Sequence, residues 1–150
     1  MDVRPGAIDQ FAARMNRIAL DLLTEDDLRP ALTAEVEVAA TAVSLKMLDE
    51  LSVFEPWGRG NPEPLFMSRN SRIDEVIRMG ADKQHLKLKL SYDGMPAPEA
   101  VMWNAGDREA SLAVGRSVDI CYRPQPNTWN GTTRVQLQLV AIRPSDVEEW

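Results

Sequence analysis

The sequence has few of the residues from which catalytic and metal centres are usually built. It contains one histidine, His85, and one cysteine, Cys121. A single cysteine excludes a disulfide within the chain and a zinc site built of cysteines. The segment KQHLKL offers His85 only basic neighbours, which favours an exposed strand residue over a ligand or a base. No serine or aspartate stands beside a base, and no glycine-rich phosphate loop is present. We therefore predict no catalytic residues and no metal site.

Long hydrophobic runs are also missing. No apolar stretch approaches the roughly 20 residues that a membrane-spanning helix needs. The N-terminal sequence MDVRPGAID lacks the basic-then-apolar pattern of a signal peptide. We therefore expect no membrane partner and a reducing, cytoplasmic setting. Hydrophobic residues make up 44% of the 150 residues, which is enough for the core of one ordinary domain.

Lys and Arg are outnumbered by Asp and Glu in the first third of the chain but not in the remainder. The net charge is −6, which taken alone argues against a nucleic-acid partner. Residues 1–56, however, hold five Lys or Arg against eleven Asp or Glu, whereas residues 57–145 hold twelve against nine. An acidic front thus precedes a mildly basic body, and residues 146–150 form an acidic tail. The overall charge therefore says little about what the body binds.

The front of the chain predicts helices. Residues 6–23 carry apolar side chains at helical spacing, namely Ile8, Phe11, Met15, Ile18 and Leu22. Residues 32–38 alternate between apolar and acidic side chains, as a short half-exposed strand does. TAVSLKMLDEL predicts a second helix with Thr41 as its N-cap and Leu45, Leu48 and Leu51 on one face. We group residues 1–54 as a helical segment with one short strand.

Alternating patterns typical of strands dominate the body. In HLKLKLS, Leu86, Leu88 and Leu90 face one way while His85, Lys87 and Lys89 face the other. Four further strands are predicted in RIDEVIRM, EAVMWN, RSVDICYR and TRVQLQLVAI, with a helical turn within residues 106–115 and an Asn-Gly hairpin in QPNTWNG. Five strands in this arrangement predict an α+β chain whose residues 67–145 form a five-stranded antiparallel OB barrel. Residues 55–66 form a Pro/Gly-rich connector.

Binding is the function that the remaining residues indicate. Single strands lie on the outer face of the second and third strands of OB folds and on the loops that frame it. Basic side chains there track phosphates, and aromatic rings stack on bases. The candidates in those positions are Lys87, Lys89, Trp103, Asn104, Trp129 and Arg134. Lys87 and Lys89 fit a merely solvated role equally well. Trp103 shares a face with Val101, which favours the core, whereas Trp129 in a turn is expected to be exposed.

The connector carries a specific motif. EPWGRGNPEPLF, residues 55–66, resembles the Pro-Phe-Gly-x-Gly-Asn-Pro-x-Pro-x-Phe signature of RecJ, the family of single-stranded-DNA-specific 5′ exonucleases, with Trp57 in place of Phe. HLKLKL, the WN after the third strand and NTWNGTTRVQLQLVAI resemble the OB domain that follows this signature. IDQFAARMNRIALDLLTEDDL resembles the last helix of the preceding DHHA1 domain. The resemblance covers nearly the whole chain.

The resemblance implies a single-stranded-DNA-binding domain that serves DNA repair and recombination. RecJ-like nucleases cut with two Mg²⁺ or Mn²⁺ ions held by Asp and His residues of a DHH domain, and those motifs are missing from this sequence. We therefore expect no cofactor in this chain and no nuclease activity from it alone. The implied partners are single-stranded DNA, the absent DHH and DHHA1 domains, and single-strand-binding protein. The alternative is a structural or docking module that closes the nuclease clamp or binds another repair protein.

The motif itself is interpreted as a rigid hinge. Three prolines, Pro56, Pro62 and Pro64, fix φ and exclude helix. Gly58 and Gly60 are expected where the backbone adopts a positive φ or approaches another segment closely. Trp57 and Phe66 are expected to anchor the two ends by burial. This structural role is favoured over direct DNA contact, for which Arg59 is the candidate.

Overall fold

The computed structural model describes residues 5–28 and 31–146, which divide between two compact units, residues 1–32 and 33–150. In the first unit a 3₁₀ turn, Pro5–Ala7, leads into helix α1, Ile8–Leu22, and a second 3₁₀ turn spans Asp26–Leu28. Helix α1 has the predicted position and the predicted apolar stripe, but none of its residues is buried.

The second unit contains the predicted barrel. Its five strands are β2 (Phe66–Met79), β3 (His85–Tyr92), β5 (Glu99–Met102), β6 (Ser117–Trp129) and β7 (Thr132–Pro144). They pair in the order β2, β3, β5, β7, β6, and β6 pairs with β2 again to close the barrel. This confirms the five-stranded OB barrel of an α+β chain.

One barrel pairing is parallel rather than antiparallel. Strand β5 runs parallel to β7, with Val101 opposite Gln138. The chain leaves β5 through a 3₁₀ segment, Gly106–Ser111, and β6 then pairs with β2 instead of with β5. Because β7 returns from β6 through a hairpin, it reaches the free side of β5 in the same direction as β5. The all-antiparallel prediction was wrong at this pairing, since sequence alternation carries no information on strand direction.

One predicted strand is shorter than expected, and one short strand and a bulge were not predicted from the sequence pattern. Strand β1, Val36–Glu37, pairs in parallel with the start of β2 and is shorter than the predicted strand over residues 32–38. Strand β4, Met95–Pro96, folds back on β3. Strand β2 begins six residues before the predicted RIDEVIRM because a bulge interrupts its alternation: Asn70 has φ 52°, and both Ser68 and Ser71 are buried.

Helix α2, Leu45–Ser52, begins later than predicted. Its N-cap is Ser44, whose hydroxyl accepts the N–H of Met47 at 3.3 Å. Thr41 was predicted as the cap but lies inside a 3₁₀ turn, Ala40–Ala42, which brings Ala40 into the core. The side chains of α2 that pack on the core are Met47 and Leu51, whereas Leu45 is exposed.

The barrel interior holds the alternating side chains of the strands. The fully buried ones include Leu86, Leu88, Leu90, Ile120, Tyr122 and Leu137. Tyr122 stacks on Phe66 with ring centroids 6.0 Å apart, and its hydroxyl lies 2.9 Å from that of Ser68. Val36, Ala40 and Val43 join this core, so residues 33–54 lie in the unit of the barrel.

Candidate nucleic-acid interface

The outer face of the barrel is continuous across its strands. Lys87 of β3 lies opposite Ile77 of β2 on one side and opposite Val101 of β5 on the other. Val101 lies opposite Gln138 of β7, which in turn lies opposite Arg123 of β6. Directly paired residues point to the same side of a sheet. The candidate residues on β3 and on the β6–β7 hairpin therefore point to the outer side of the barrel, and the fully buried Val101 lies between them.

The two candidate lysines point outward as predicted, but both are paired with glutamates. The Lys87 Nζ lies 3.2 Å from a carboxylate oxygen of Glu99, and the Lys89 Nζ lies 2.7 Å from one of Glu75. The hydrogen bond to Glu75 raises the pKa of Lys89, so its ammonium stays charged. Since each cation has its own carboxylate, this part of the face is nearly neutral. Sequence reasoning missed Glu75 and Glu99 because neither is a neighbour of its lysine along the chain.

Trp103 and Asn104 form a turn rather than the end of a strand. Strand β5 ends at Met102, and Asn104 has φ 52°. The backbone N–H of Asn104 donates to Nδ1 of His85 at 3.0 Å, and the Trp103 ring meets the His85 ring edge-on at 4.9 Å. Trp103 is 51% exposed, so its prediction as a core residue was wrong. Side chains two residues apart share a face only within a strand, and β5 has ended before Trp103, so Trp103 need not lie on the same face as Val101. His85, expected to be exposed, is half-buried.

Trp129 stands at the end of the β6–β7 hairpin. The turn residues Asn130 and Gly131 have φ 48° and 75°, the signature of a type I′ turn. Trp129 is 76% exposed, which confirms the expected exposure. Arg134 lies on the same hairpin opposite Asn127 and is exposed. Within residues 5–28 and 31–146 the Arg134 guanidinium has no ion-pair partner, which distinguishes it from Lys87 and Lys89.

Sequence reasoning also missed a row of amide side chains on the hairpin. Gln125 and Gln136 lie directly opposite each other, and Asn127 lies opposite Arg134. The Nε2 of Gln138 donates to Oε1 of Gln125 at 2.6 Å. The available signal was the alternation in TRVQLQL, which places the two glutamines opposite to the inward Val135, Leu137 and Leu139.

Arg59 lies at the tip of a tight turn in the connector and not on a strand. Gly58 and Asn61 exchange two backbone hydrogen bonds, at 2.8 and 3.1 Å, and the Asn61 side chain donates to the Phe54 carbonyl at 2.7 Å. Phe66 is buried as expected, and Trp57 is half-buried.

The two glycines of the connector do not have the role expected of them. Neither Gly58 nor Gly60 has a positive φ, and no atom lies within 4 Å of a Cβ added at either position. The expected reason for these glycines was wrong, and nothing in the structure explains them.

A buried polar cluster lies behind the bulge of β2. Asp119 accepts hydrogen bonds from the Asn70 N–H, the Ser145 hydroxyl and Arg143, the last at 3.1 Å. Burial raises the pKa of Asp119, but these hydrogen bonds and the Arg143 charge outweigh it, so the carboxyl pKa lies below its ordinary value. Burial raises the pKa of the neighbouring Cys121 thiol. The cluster joins β2, β6 and the end of β7 and is structural.

The described residues offer no arrangement typical of a metal centre or of a membrane span. Among them, no group of three or more His, Cys, Asp or Glu side chains is placed to hold a metal ion. No helix in the described ranges is long and apolar enough to cross a membrane.

Comparison with known proteins decides the family. The model of the RecJ OB domain matches residues 34–141. The chain belongs to this family. The single-stranded-DNA-specific exonuclease RecJ of Bacillus subtilis is 25% identical over 150 residues, which is all of this chain and 19% of the relative. The RecJ of Thermus thermophilus is 29% identical over 147 residues, or 95% of this chain and 18% of the relative.

A solved structure agrees with the assignment. The crystal structure of Thermus thermophilus RecJ in complex with Mg²⁺ matches with a TM-score of 0.73 and 26% identity, over 97% of this chain and 21% of that one. The chain thus spans about a fifth of the length of the RecJ proteins it matches.

Proposed function

We propose that this RecJ OB domain binds single-stranded DNA and guides it toward the nuclease domains of a RecJ-like 5′ exonuclease in DNA repair and recombination. The observation that carries the proposal is the pair of exposed tryptophans, Trp103 and Trp129, on a barrel of this family, together with Arg134, which has no ion-pair partner among the described residues. In this proposal the cut is made by a two-metal DHH domain, and this chain contributes only binding.

Stacking supplies most of the affinity in this proposal. An exposed aromatic ring that stacks on a base contributes about 1–3 kcal/mol and tolerates any base. Arg134 contacts a phosphate directly. Lys87 and Lys89 reach phosphates only in competition with Glu99 and Glu75, so they add little net attraction. Each phosphate contact on a single strand contributes ~0.7 to the slope of log K against log salt. We therefore expect weak binding with a shallow salt dependence.

The test is fluorescence anisotropy of a labelled single-stranded oligonucleotide at several salt concentrations. Trp129→Ala should weaken binding roughly tenfold and leave the salt slope unchanged, because stacking releases no counterions. Arg134→Ala should weaken binding and reduce the slope by ~0.7. Phe11→Ala, which removes an exposed aromatic ring of α1, is the control. The oligonucleotide should remain intact in Mn²⁺ throughout. Absence of binding at low salt by a folded protein would refute the proposal.

The second candidate function is docking within the nuclease or onto another repair protein. A groove of about 890 Å³ lies between α2, the connector and the β6–β7 hairpin, and its apolar lining includes Leu45, Leu48, Trp57, Pro64, Pro124 and Pro126. The partners considered are the DHH and DHHA1 domains and single-strand-binding protein. Calorimetric titration of each partner into the chain, with Leu48→Asp as the variant, tests this candidate. Loss of heat for one partner with unchanged DNA binding would support it.

A further inference from the structure

The outer face of the β6–β7 hairpin carries more hydrogen-bonding groups than charges. Gln125, Asn127, Gln136 and Gln138, which we call the amide strip, all lie on this face: Gln125 lies opposite Gln136, Asn127 opposite Arg134 and Gln138 opposite Arg123. The strip starts two residues from Trp129 and ends beside Val101, whose other neighbour is Lys87. It therefore extends from the exposed tryptophan of the hairpin to the fully buried Val101 of β5.

Much of the hydrogen-bonding capacity of the amide strip is unused. A side-chain amide has two donors and an acceptor with two lone pairs. Gln138 uses one donor on the carbonyl of Gln125 at 2.6 Å, which fixes the orientation of both amides. That bond leaves the Gln125 NH₂ and the Gln138 carbonyl available next to each other. Asn127 and Gln136 make no side-chain hydrogen bond within the described part of the chain.

A donor beside an acceptor complements a base edge better than it complements a phosphate. Unpaired bases are recognised by hydrogen bonds on their Watson–Crick and Hoogsteen edges, where donors and acceptors adjoin. Asn and Gln pair with such edges in a bidentate manner. A phosphate offers acceptors only, so it would leave the carbonyl of Gln138 unpaired. Gln125, Gln136 and Gln138 are also half-buried, which restricts their rotamers before a ligand arrives.

The spacing along the strand suits successive nucleotides. Trp129 and Asn127 lie on the same face two residues apart, about 7 Å along a strand. We propose that the amide strip binds the base edges of single-stranded DNA whose first contact is the stack on Trp129. This inference rests on the proposed single-stranded-DNA binding and adds a base-contacting surface on β6 and β7.

The experiment compares a double variant, Asn127→Ala with Gln136→Ala, with the unaltered chain. Anisotropy is measured with a single-stranded oligonucleotide and with an abasic oligonucleotide that has the same number of phosphates. Two neutral hydrogen bonds contribute roughly tenfold in affinity. We expect a loss of that size on the normal oligonucleotide, an unchanged salt slope, and no loss on the abasic one. Gln84→Ala, an exposed amide between β2 and β3, is the control and should bind as the unaltered chain does.

The outcomes separate this inference from the proposal beneath it. If the unaltered chain binds no DNA, the proposed function is refuted, and the inference about the amide strip is refuted with it. If the unaltered chain binds and the double variant binds equally well, only the inference is overturned. An equal loss on the normal and abasic oligonucleotides would mean that the amides contact the backbone, and this result also overturns it. Circular dichroism spectra of the variants establish that the hairpin is folded.

Discussion

Helix α1 and strand β3 show the same quality of apolar pattern with opposite outcomes. In α1, Ile8, Phe11, Met15 and Ile18 follow the helical period, yet each is 40–55% exposed. In β3, Leu86, Leu88 and Leu90 follow the strand period, and each is at most 1% exposed. Periodicity reports which side of an element is apolar, because it depends on consecutive residues. Whether another segment covers that side depends on residues far along the chain. Strand β3 pairs with β2 and β5 within the barrel, so its apolar side is buried.

Hydrogen exchange should give the largest contrast between these two regions. An isolated helix of 15 residues is marginally stable in water, whereas core strands exchange only through near-global opening. We expect the amides of α1 to exchange at least about a thousandfold faster than those of β3 and β7. Mass spectrometry after deuterium labelling measures the difference. Equal protection would break the comparison, since α1 would then be stabilised by more than its own hydrogen bonds.

Truncating one leucine should separate the two regions in free energy of unfolding. Leu88→Ala removes a fully buried side chain and should cost about 3 kcal/mol, through lost burial and a residual cavity. The matched change Ile18→Ala, on the apolar side of α1, should cost less than about 0.5 kcal/mol, because alanine is the better helix former. Urea unfolding measures both. A loss of unfolding free energy for Ile18→Ala well above about 0.5 kcal/mol would contradict the exposure of this side of α1.

The buried Asp119–Arg143 pair allows the stability of the barrel and of α1 to be compared through charge removal, since α1 has no buried charge. Asp119→Ala removes the carboxylate that lies 3.1 Å from the buried Arg143 guanidinium and should cost about 3 kcal/mol. Asp9→Ala in the first turn of α1 is the control and should cost less than about 1 kcal/mol. Urea unfolding at neutral pH is the measurement. Equal costs would show that the cluster behind the bulge contributes no more than a surface charge does.

The same pair predicts a pH dependence of defined sign. The Asp119 pKa is lower in the folded chain than in the unfolded one, so folding favours the ionised carboxylate. Its stabilisation is complete above the unfolded pKa of about 3.9 and is lost as pH falls through the lower folded value. The unaltered chain should therefore lose stability in acid more steeply than Asp119→Ala does. Unfolding curves that keep a constant difference between pH 7 and pH 2 would contradict this.

The smallest expected effect concerns the cap of α2. Ser44→Ala removes the acceptor for the Met47 N–H and should cost about 1 kcal/mol. Thr41→Ala, at the cap position that the sequence suggested, should cost less because no hydrogen bond of the Thr41 side chain supports α2 in the described structure. Thermal unfolding of both variants decides between the two positions. A larger effect at Thr41 would mean that the helix begins where the sequence pattern suggested.

Prediction from sequence succeeded for local features and failed where a feature depended on a distant residue. The alternation around Leu88 identified β3, and Asn130-Gly131 identified the hairpin turn. The bulge at Asn70 hid the first half of β2, because Asp119, 49 residues away, accepts the N–H of Asn70. In the candidate site, the exposure of Trp129 was predictable from its turn. The end of β5 that exposes Trp103 was not, since the turn there is held by the hydrogen bond from the Asn104 N–H to His85, 19 residues away.

By itself the sequence determined the position of most barrel strands along the chain, most of the residues that face inward, the hairpin and the family motif of residues 55–66. All of these are properties of neighbouring residues, whose spacing sets their direction in a helix or a strand. Only the tertiary structure decided that Lys87 is paired with Glu99 while Arg134 has no ion-pair partner among the described residues. It alone also decided that β5 runs parallel to β7. The physical reason is that ion pairs and strand directions depend on which segments become neighbours, which is settled when the barrel closes.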